Sequence, residues 1–158
     1  MSSFKIVEAR KESLLDLRVF GSLDEDAKLP NINFSFVTSV NVDFGGLTAI
    51  NSCGIRDWIK WISHVKPSTQ ITYSTCPKII VDQINMVEGF LPATGKVVSF
   101  FVPYYCENCD DVENNLFNTG DVSPTSGKSV PTSTKCSKCG KETEIDIIES
   151  KYLKFLSR

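Results

Sequence analysis

The sequence predicts an α/β protein in which helices flank a mixed β-sheet and the chain continues into a small cysteine-bearing lobe. Three observations support this fold class. Short apolar strands alternate with helical segments over residues 1–102, two Cys-x-x-Cys pairs follow within 103–158, and a polar run, 118–135, separates the pairs. The 158 residues, 41% of them hydrophobic, are enough for one ordinary domain with a small appendage.

The N-terminal elements read as two strands, a short acidic segment and a buried strand. Residues 5–9 and 13–20 fit strands joined by a polar turn. Residues 23–30 predict a short acidic helix or turn that ends at a proline. The aromatic and β-branched residues of 34–44 predict a central buried strand, which we expect the glycine pair at 45–46 to end.

The next elements alternate helix and strand. Apolar residues at helical spacing predict an amphipathic helix over 55–65, and 70–74 fits a strand. A second helix is expected after Pro77, extending to residue 89 or 90, because proline is well placed at the start of a helix. Residues 96–105 predict a last strand that runs into the first cysteine pair. Crossovers of this kind imply a partly parallel sheet.

Four cysteines carry the most specific signal in the chain. They form two Cys-x-x-Cys pairs separated by 26 residues: Cys106, Cys109, Cys136 and Cys139. Four thiolates match the tetrahedral shell of structural Zn²⁺, and the long gap can be looped out because 118–135 is rich in Gly, Pro, Ser and Thr and has almost nothing to bury. Gly140 can supply the positive φ that turns backbone amides toward sulfur. We predict a zinc ribbon holding one structural Zn²⁺ per chain.

Disulfides, redox dithiols and iron are the other uses of such cysteines. The N-terminal residues MSSFKIVEARKES lack the apolar core of a secretory signal, and no run reaches the ~20 apolar residues of a membrane span. We therefore expect a cytoplasmic protein without membrane contact, and in that compartment paired cysteines favour metal over disulfides. Four thiolates leave no open coordination position, so we expect no catalytic zinc and no enzyme.

The charge balance disfavours a nucleic-acid partner. The net charge is −2, and residues 101–158 contain nine acidic residues against seven basic ones. A ribbon that binds nucleic acid needs a positive surface to neutralise phosphates, and a zinc bound by four thiolates adds further negative charge.

A second motif follows the predicted buried strand. The loop reads Asn51-Ser52-Cys53-Gly54-Ile55, with Asp57 one turn further into the helix. Here the chain resembles the STAS family, the sulphate-transporter and anti-sigma-factor-antagonist domain. That family's hallmark is a buried strand, a loop reading Asp-Ser-Ser/Thr-Gly-Leu/Ile/Val, and then a helix. The resemblance covers residues 1–102, with the zinc ribbon appended to it.

The chemistry of the loop can be considered without the family. Asn51 or Ser52 can cap the helix, and Gly54 allows a tight turn. The resemblance implies that a partner kinase phosphorylates the residue directly before the glycine, and that the added charge blocks docking. Cys53 occupies that position and is no substrate for a serine kinase, so we expect the switch to be lost unless Ser52 or Thr48 takes over as acceptor.

The resemblance implies a non-enzymatic, bacterial regulatory protein. Residues 52–57 would contact a protein partner such as an anti-sigma factor or a switch kinase, and a homodimer stays open. Two other functions stay open as well: a thiol-based redox sensor that uses Cys53, which lies at a predicted helix N-terminus, and a nucleic-acid-binding ribbon. For Cys53 and Cys76 alike, packing is the simpler interpretation.

Overall fold

The computed structural model describes residues 3–122 and 129–157, and within them five strands form one mixed sheet. The strands lie side by side in chain order: β1 (Lys5–Lys11), β2 (Leu14–Leu23), β3 (Ser39–Ile50), β4 (Gln70–Ser74) and β5 (Gly95–Val97). β1 is antiparallel to β2, and β2 to β5 run parallel. α1 (Ser52–Ile62) connects β3 to β4, α2 (Lys78–Met86) connects β4 to β5, and residues 24–38 connect β2 to β3 without a helix. The prediction of a mixed α/β protein is confirmed.

A smaller antiparallel sheet carries the cysteine pairs. Among the described residues it contains β6 (Ser99–Cys106), β7 (Asp111–Asn118) and β8 (Glu144–Ile145), in the order β7-β6-β8. A short helix, α3 (Glu149–Tyr152), and a 3-10 segment (Leu153–Ser157) follow. We call residues 99–145 the cysteine region.

The single strand predicted over 96–105 is two strands in two sheets. Val98 separates β5 from β6, and its N–H donates to the carbonyl of Tyr73 at the end of the larger sheet. β6 then bridges to Cys76, whose N–H donates to the Ser99 carbonyl. One residue between the strands is enough to change sheets, and the hydropathy pattern carries no mark of that change.

The prediction for residues 23–44 holds in one place and is wrong in another. Residues 24–26 form a turn, one of the two structures predicted for 23–30, which the Ala27 N–H closes by donating to the Asp24 carbonyl. Residues 35–36 form another turn, closed by the Val37 N–H donating to the Phe34 carbonyl. Phe34 contributes to the core from a loop and Phe36 is exposed, so the aromatic residues here did not indicate a strand.

β3 also passes through the glycine pair instead of ending at it. The strand continues to Ile50, with register shifts against β2 beside the glycines. A Cβ on Gly46 would lie 2.3 Å from the Phe20 ring, so this glycine makes room for a side chain of the neighbouring strand. A glycine pair within a strand therefore marks close packing here, and not a break.

The core of the larger sheet is aromatic. Phe44 lies against Trp58 and Tyr73, with ring centroids 5.3 and 4.9 Å away. The Tyr73 hydroxyl accepts a hydrogen bond from Trp58 Nε1 at 3.0 Å and donates to the Phe90 carbonyl at 2.6 Å. These rings are fully buried, and their polar atoms are bonded as buried groups require.

The predicted polar loop 118–135 lies partly outside the described residues, which resume at 129. Its described ends contradict the expectation that it has almost nothing to bury. Val122 and Val130 are both buried in the core. The two described ends of this polar run are therefore each attached to the core by one valine. In residues 3–122 and 129–157, no helix is long and apolar enough to cross a membrane.

Candidate metal centre

The structure brings the four predicted cysteines together. Their sulfur atoms all lie within 4.8 Å of one another: Cys106, Cys109, Cys136 and Cys139. The Cys106 and Cys139 Sγ atoms are 3.6 Å apart, and those of Cys109 and Cys136 are 3.9 Å apart. Both distances greatly exceed the ~2.05 Å of a disulfide bond. The four sulfurs form a group that could hold a metal ion.

The first pair lies in the hairpin between β6 and β7. Its backbone turns so that the Cys109 N–H points at the Cys106 sulfur, 3.4 Å away. The next residue, Asp110, has φ +50°, a left-handed conformation that aspartate tolerates better than most residues. The Tyr105 hydroxyl donates to Asp110 Oδ1 at 2.7 Å and so helps to hold this turn.

The second pair repeats the shape of the first turn. Gly140 follows Cys139 with φ +75°, as the sequence predicted, and its N–H donates to the Cys136 carbonyl at 2.9 Å. The Cys136 N–H donates to the Lys141 carbonyl at 2.8 Å, which closes the turn. Each cysteine pair is thus followed by one left-handed residue, and each turn aims two sulfurs at a common point.

Burial divides the four thiols. Cys106 and Cys136 are 1% and 3% exposed, Cys109 is half-buried and Cys139 is exposed. The Lys141 backbone N–H lowers the pKa of Cys139 to about 6, while the hydrogen bond with Cys139, together with burial, raises the pKa of Cys109 to about 12. Metal binding would therefore release protons from this group, because metal ligands must be thiolates.

Further residues support the second turn and were missed by the sequence analysis. Glu113 on β7 accepts a hydrogen bond from the Ser137 N–H at 2.9 Å and another from the Ser137 hydroxyl. These bonds, the hydroxyl's first, lower the pKa of Glu113. Lys138 pairs with Asp111 at 2.5 Å. No short-range pattern in the sequence marks these residues, because Glu113 and Ser137 lie 24 positions apart.

The loop motif lies at the start of α1, directly after β3. Asn51 Oδ1 accepts a hydrogen bond from the Gly54 N–H at 3.0 Å, and Asn51 Nδ2 donates to Glu25 Oε2 at 2.6 Å. Asn51 is therefore the N-cap of α1, and it is one of the two residues predicted for that role. Ser52 is exposed at the helix tip.

The expected reason for Gly54 is wrong. Gly54 lies inside α1, and a Cβ there would be 2.0 Å from the Leu23 carbonyl oxygen. The glycine allows the helix to approach β2, and no tight turn requires it. Ile55 and Asp57 are half-buried.

The two cysteines outside the metal group are both free. Cys53 is half-buried on α1, and Cys76 is buried beside the start of α2. Burial raises the pKa of the Cys76 thiol, with the Asp43 carboxylate contributing, so this thiol stays protonated and serves packing.

Comparison with known proteins adds no relative to this geometry. No family model matches the chain, and no curated protein matches it significantly.

Proposed function

We propose that this chain is a non-enzymatic, protein-binding regulatory protein of the cytoplasm, stabilised by one structural zinc ion. Four sulfurs placed about 2.3 Å from a zinc ion at the corners of a tetrahedron would be about 3.8 Å apart. The measured 3.6 and 3.9 Å are close to that spacing. Soft thiolates favour Zn²⁺ among common divalent ions, and four of them fill its coordination shell. The metal would then fold the cysteine region and carry out no reaction.

One observation carries the binding function: the exposed tip of α1 at the carboxyl end of β3. Ser52 and Arg56 project into solvent there, while Cys53 is half-buried. Asn51 fixes the tip by bonding both the helix and Glu25. A rigid, polar helix end of this kind suits recognition of another protein, and the resemblance to anti-sigma-factor antagonists assigns the same end to docking.

The same tip bears on the phosphorylation switch. Cys53 takes the position of the expected phosphoacceptor and is partly covered. Ser52 is exposed and adjacent to the Asn51 cap, so a kinase could reach its hydroxyl. We propose constitutive binding, with Ser52 as the residue whose phosphorylation would weaken it by adding charge of about −2.

Native mass spectrometry of the freshly purified protein tests the metal and the switch together. We expect one zinc per chain, and the same mass before and after treatment with lambda phosphatase. A chain without metal would contradict the structural zinc. A phosphatase-sensitive mass located at Ser52 would show that the switch is retained there.

Affinity capture from lysate of the source organism tests the docking tip. Wild-type protein is compared with S52D and R56E, and with E88K as a charge-changed control at an exposed position after α2. We expect a protein that wild type and E88K both retain and that S52D and R56E lose. Equal retention by all four proteins would exclude the tip as the contact surface.

A thiol-based sensor is the second candidate, and the exposure of Cys139 favours it. This sulfur is the most accessible of the four, so an oxidant or alkylating agent would reach it first. Peptide mapping after brief iodoacetamide treatment of the metal-loaded protein distinguishes the functions. Selective modification of Cys139 or Cys53 with metal release would favour the sensor, whereas inert thiols would favour a purely structural metal.

A further inference from the structure

Strand β7 is an edge strand with an exposed apolar face. Within residues 3–122 and 129–157, its ladder of backbone hydrogen bonds is made with β6 alone. Its even-numbered residues are exposed, and the two apolar ones, Val112 and Leu116, are 39% and 50% exposed. Exposed apolar residues on an edge strand mark a surface that another strand can extend.

The hydrogen-bond pattern identifies which residues of β7 face outward. The Thr119 N–H donates to the Val98 carbonyl, which continues the β6–β7 ladder by one pair. Bonded and non-bonded pairs alternate in an antiparallel ladder, so odd-numbered residues of β7 bond to β6. The backbone groups of Val112, Asn114 and Leu116 therefore point to the free side. The Val112 N–H accordingly bonds locally, to Asp111 Oδ1 at 2.9 Å.

The usual protection of an edge strand is weak in β7. Its eight residues, DVENNLFN, contain neither lysine nor proline, and its two acids face the side away from Val112 and Leu116. The adjacent residues of β6 extend the apolar face, because Leu116 pairs with Phe101 and Val112 pairs with Tyr105.

We propose that β7 pairs with β7 of a second copy of this chain, antiparallel and centred on Asn114. Outward-facing groups of one strand must meet outward-facing groups of the other, which restricts the register to pairs of the same parity. Centring on Asn114 places Val112 opposite Leu116 of the second copy and Leu116 opposite its Val112. About six new backbone hydrogen bonds would form at the outward-facing positions.

Charge repulsion and apolar contact favour this register over the two adjacent ones. Centring on Glu113 would place two carboxylates opposite each other, which is unfavourable. Centring on Asn115 would place Val112 opposite Asn118 and lose the apolar pairs. In the proposed register, Glu113 faces Asn115 of the second copy. Of these three registers, only the one centred on Asn114 places both apolar residues opposite apolar partners.

The expected dimer is weak, because one strand from each copy buries less than the ~1,200 Å² of a standard interface. Sedimentation velocity of the zinc-loaded protein from about 1 µM to about 500 µM should show a reversible monomer–dimer equilibrium. A monomer mass over the whole range would overturn the proposal.

Charged variants test the register itself. V112K/L116K places lysine opposite lysine and should weaken dimerisation at least about tenfold, and V112E/L116E should do the same. A 1:1 mixture of the two variants should dimerise again, as should V112K/L116E alone, because each lysine then faces a glutamate. Dimers of V112K/L116K as tight as wild type, or a failure of the mixture to dimerise, would overturn this register.

A matched control separates the edge from general surface charge. F36K/M86K adds the same charge at two apolar residues that are 81% and 72% exposed outside β7. This variant should dimerise as wild type does, and its loss of dimer would contradict the edge pairing. Circular dichroism and zinc content check that each variant is folded.

Discussion

The five-stranded sheet and the cysteine region solve the same problem by different means. The sheet encloses fully buried rings of Phe44, Trp58 and Tyr73. In the cysteine region, β6 still buries Phe100, Val102 and Tyr104 in the core, but β7 has no fully buried residue and the turns that hold the cysteines are polar. There, the turns of the two cysteine pairs bring four sulfur atoms together instead. The comparison teaches that ligand atoms can replace apolar burial where a chain segment is too small to exclude water.

Removal of the metal should have the largest effect and should divide the two regions. Zinc contributes about 10–16 kcal/mol to the folding of small zinc-finger peptides, and we expect a loss of at least about 4 kcal/mol here. That loss lowers Tm by about 10 °C in a chain of this size. Hydrogen exchange with and without chelator should show lost protection over residues 106–118 and 129–145, with β2, β3 and β4 still protected.

Cys53 supplies the control for that experiment. C53S removes a thiol outside the metal group, so its zinc content and Tm should match those of wild type, while C106S should behave as chelated protein does. Uniform loss of protection across both regions would show that the larger sheet does not stay folded without the metal.

Adding a methyl group to a glycine should lower stability strongly in the region of the larger sheet and very little in the cysteine region. G54A places Cβ 2.0 Å from the Leu23 carbonyl oxygen and should cost about 3 kcal/mol, because backbone must move. G120A meets no atom within 4 Å and should change stability by less than about 0.5 kcal/mol. Urea unfolding monitored by tryptophan fluorescence measures both. A mild G54A would mean that α1 is free to move away from β2.

Two buried tyrosines allow the same atom to be removed from each region. Y73F leaves Trp58 Nε1 and the Phe90 carbonyl without this hydroxyl and should cost about 2 kcal/mol. Y104F loses one bond, to the Pro131 carbonyl at 2.6 Å, and should cost about 1 kcal/mol. Thermal unfolding ranks them, and a larger loss for Y104F would reverse the comparison.

The left-handed residues that follow the two cysteine pairs give small expected effects on stability. D110G removes a strained side chain and also the Tyr105 hydrogen bond, so the two changes should nearly cancel, to within about 1 kcal/mol. G140A introduces a Cβ at φ +75° and should destabilise by about 1 kcal/mol. Zinc affinity, measured by competition with a chromophoric chelator, should fall for G140A and stay near wild type for D110G.

Local patterns were predictable from the sequence, and distant contacts were not. The four grouped cysteines were found because their chemistry lies in a short spacing, Cys-x-x-Cys, repeated twice. The cap of α1 was likewise predicted from adjacent residues, as Asn51 or Ser52. β3 was misplaced because its limits depend on Phe20 and β2, which are distant in sequence.

The same limit applies to residues that act across elements. Glu113 supports Ser137 from another strand, and Asn51 bonds Glu25 across 26 positions of sequence. Gly54 was recognised, but its reason lies in the Leu23 carbonyl and could be known only after β2 was placed. The burial of Val122 and Val130 likewise depends on a core formed elsewhere.

Strand β6 joins the two regions and ends differently at each. Its first residues bond to Cys76, at 3.2 Å to Ser99 and 2.9 Å to Phe101, immediately before α2 begins. Its last residue, Cys106, is one of the grouped sulfurs. Local stability along this one strand should therefore follow a gradient set by metal occupancy. Without metal, fraying would start at Cys106 and stop at Phe101, where the backbone is bonded to Cys76.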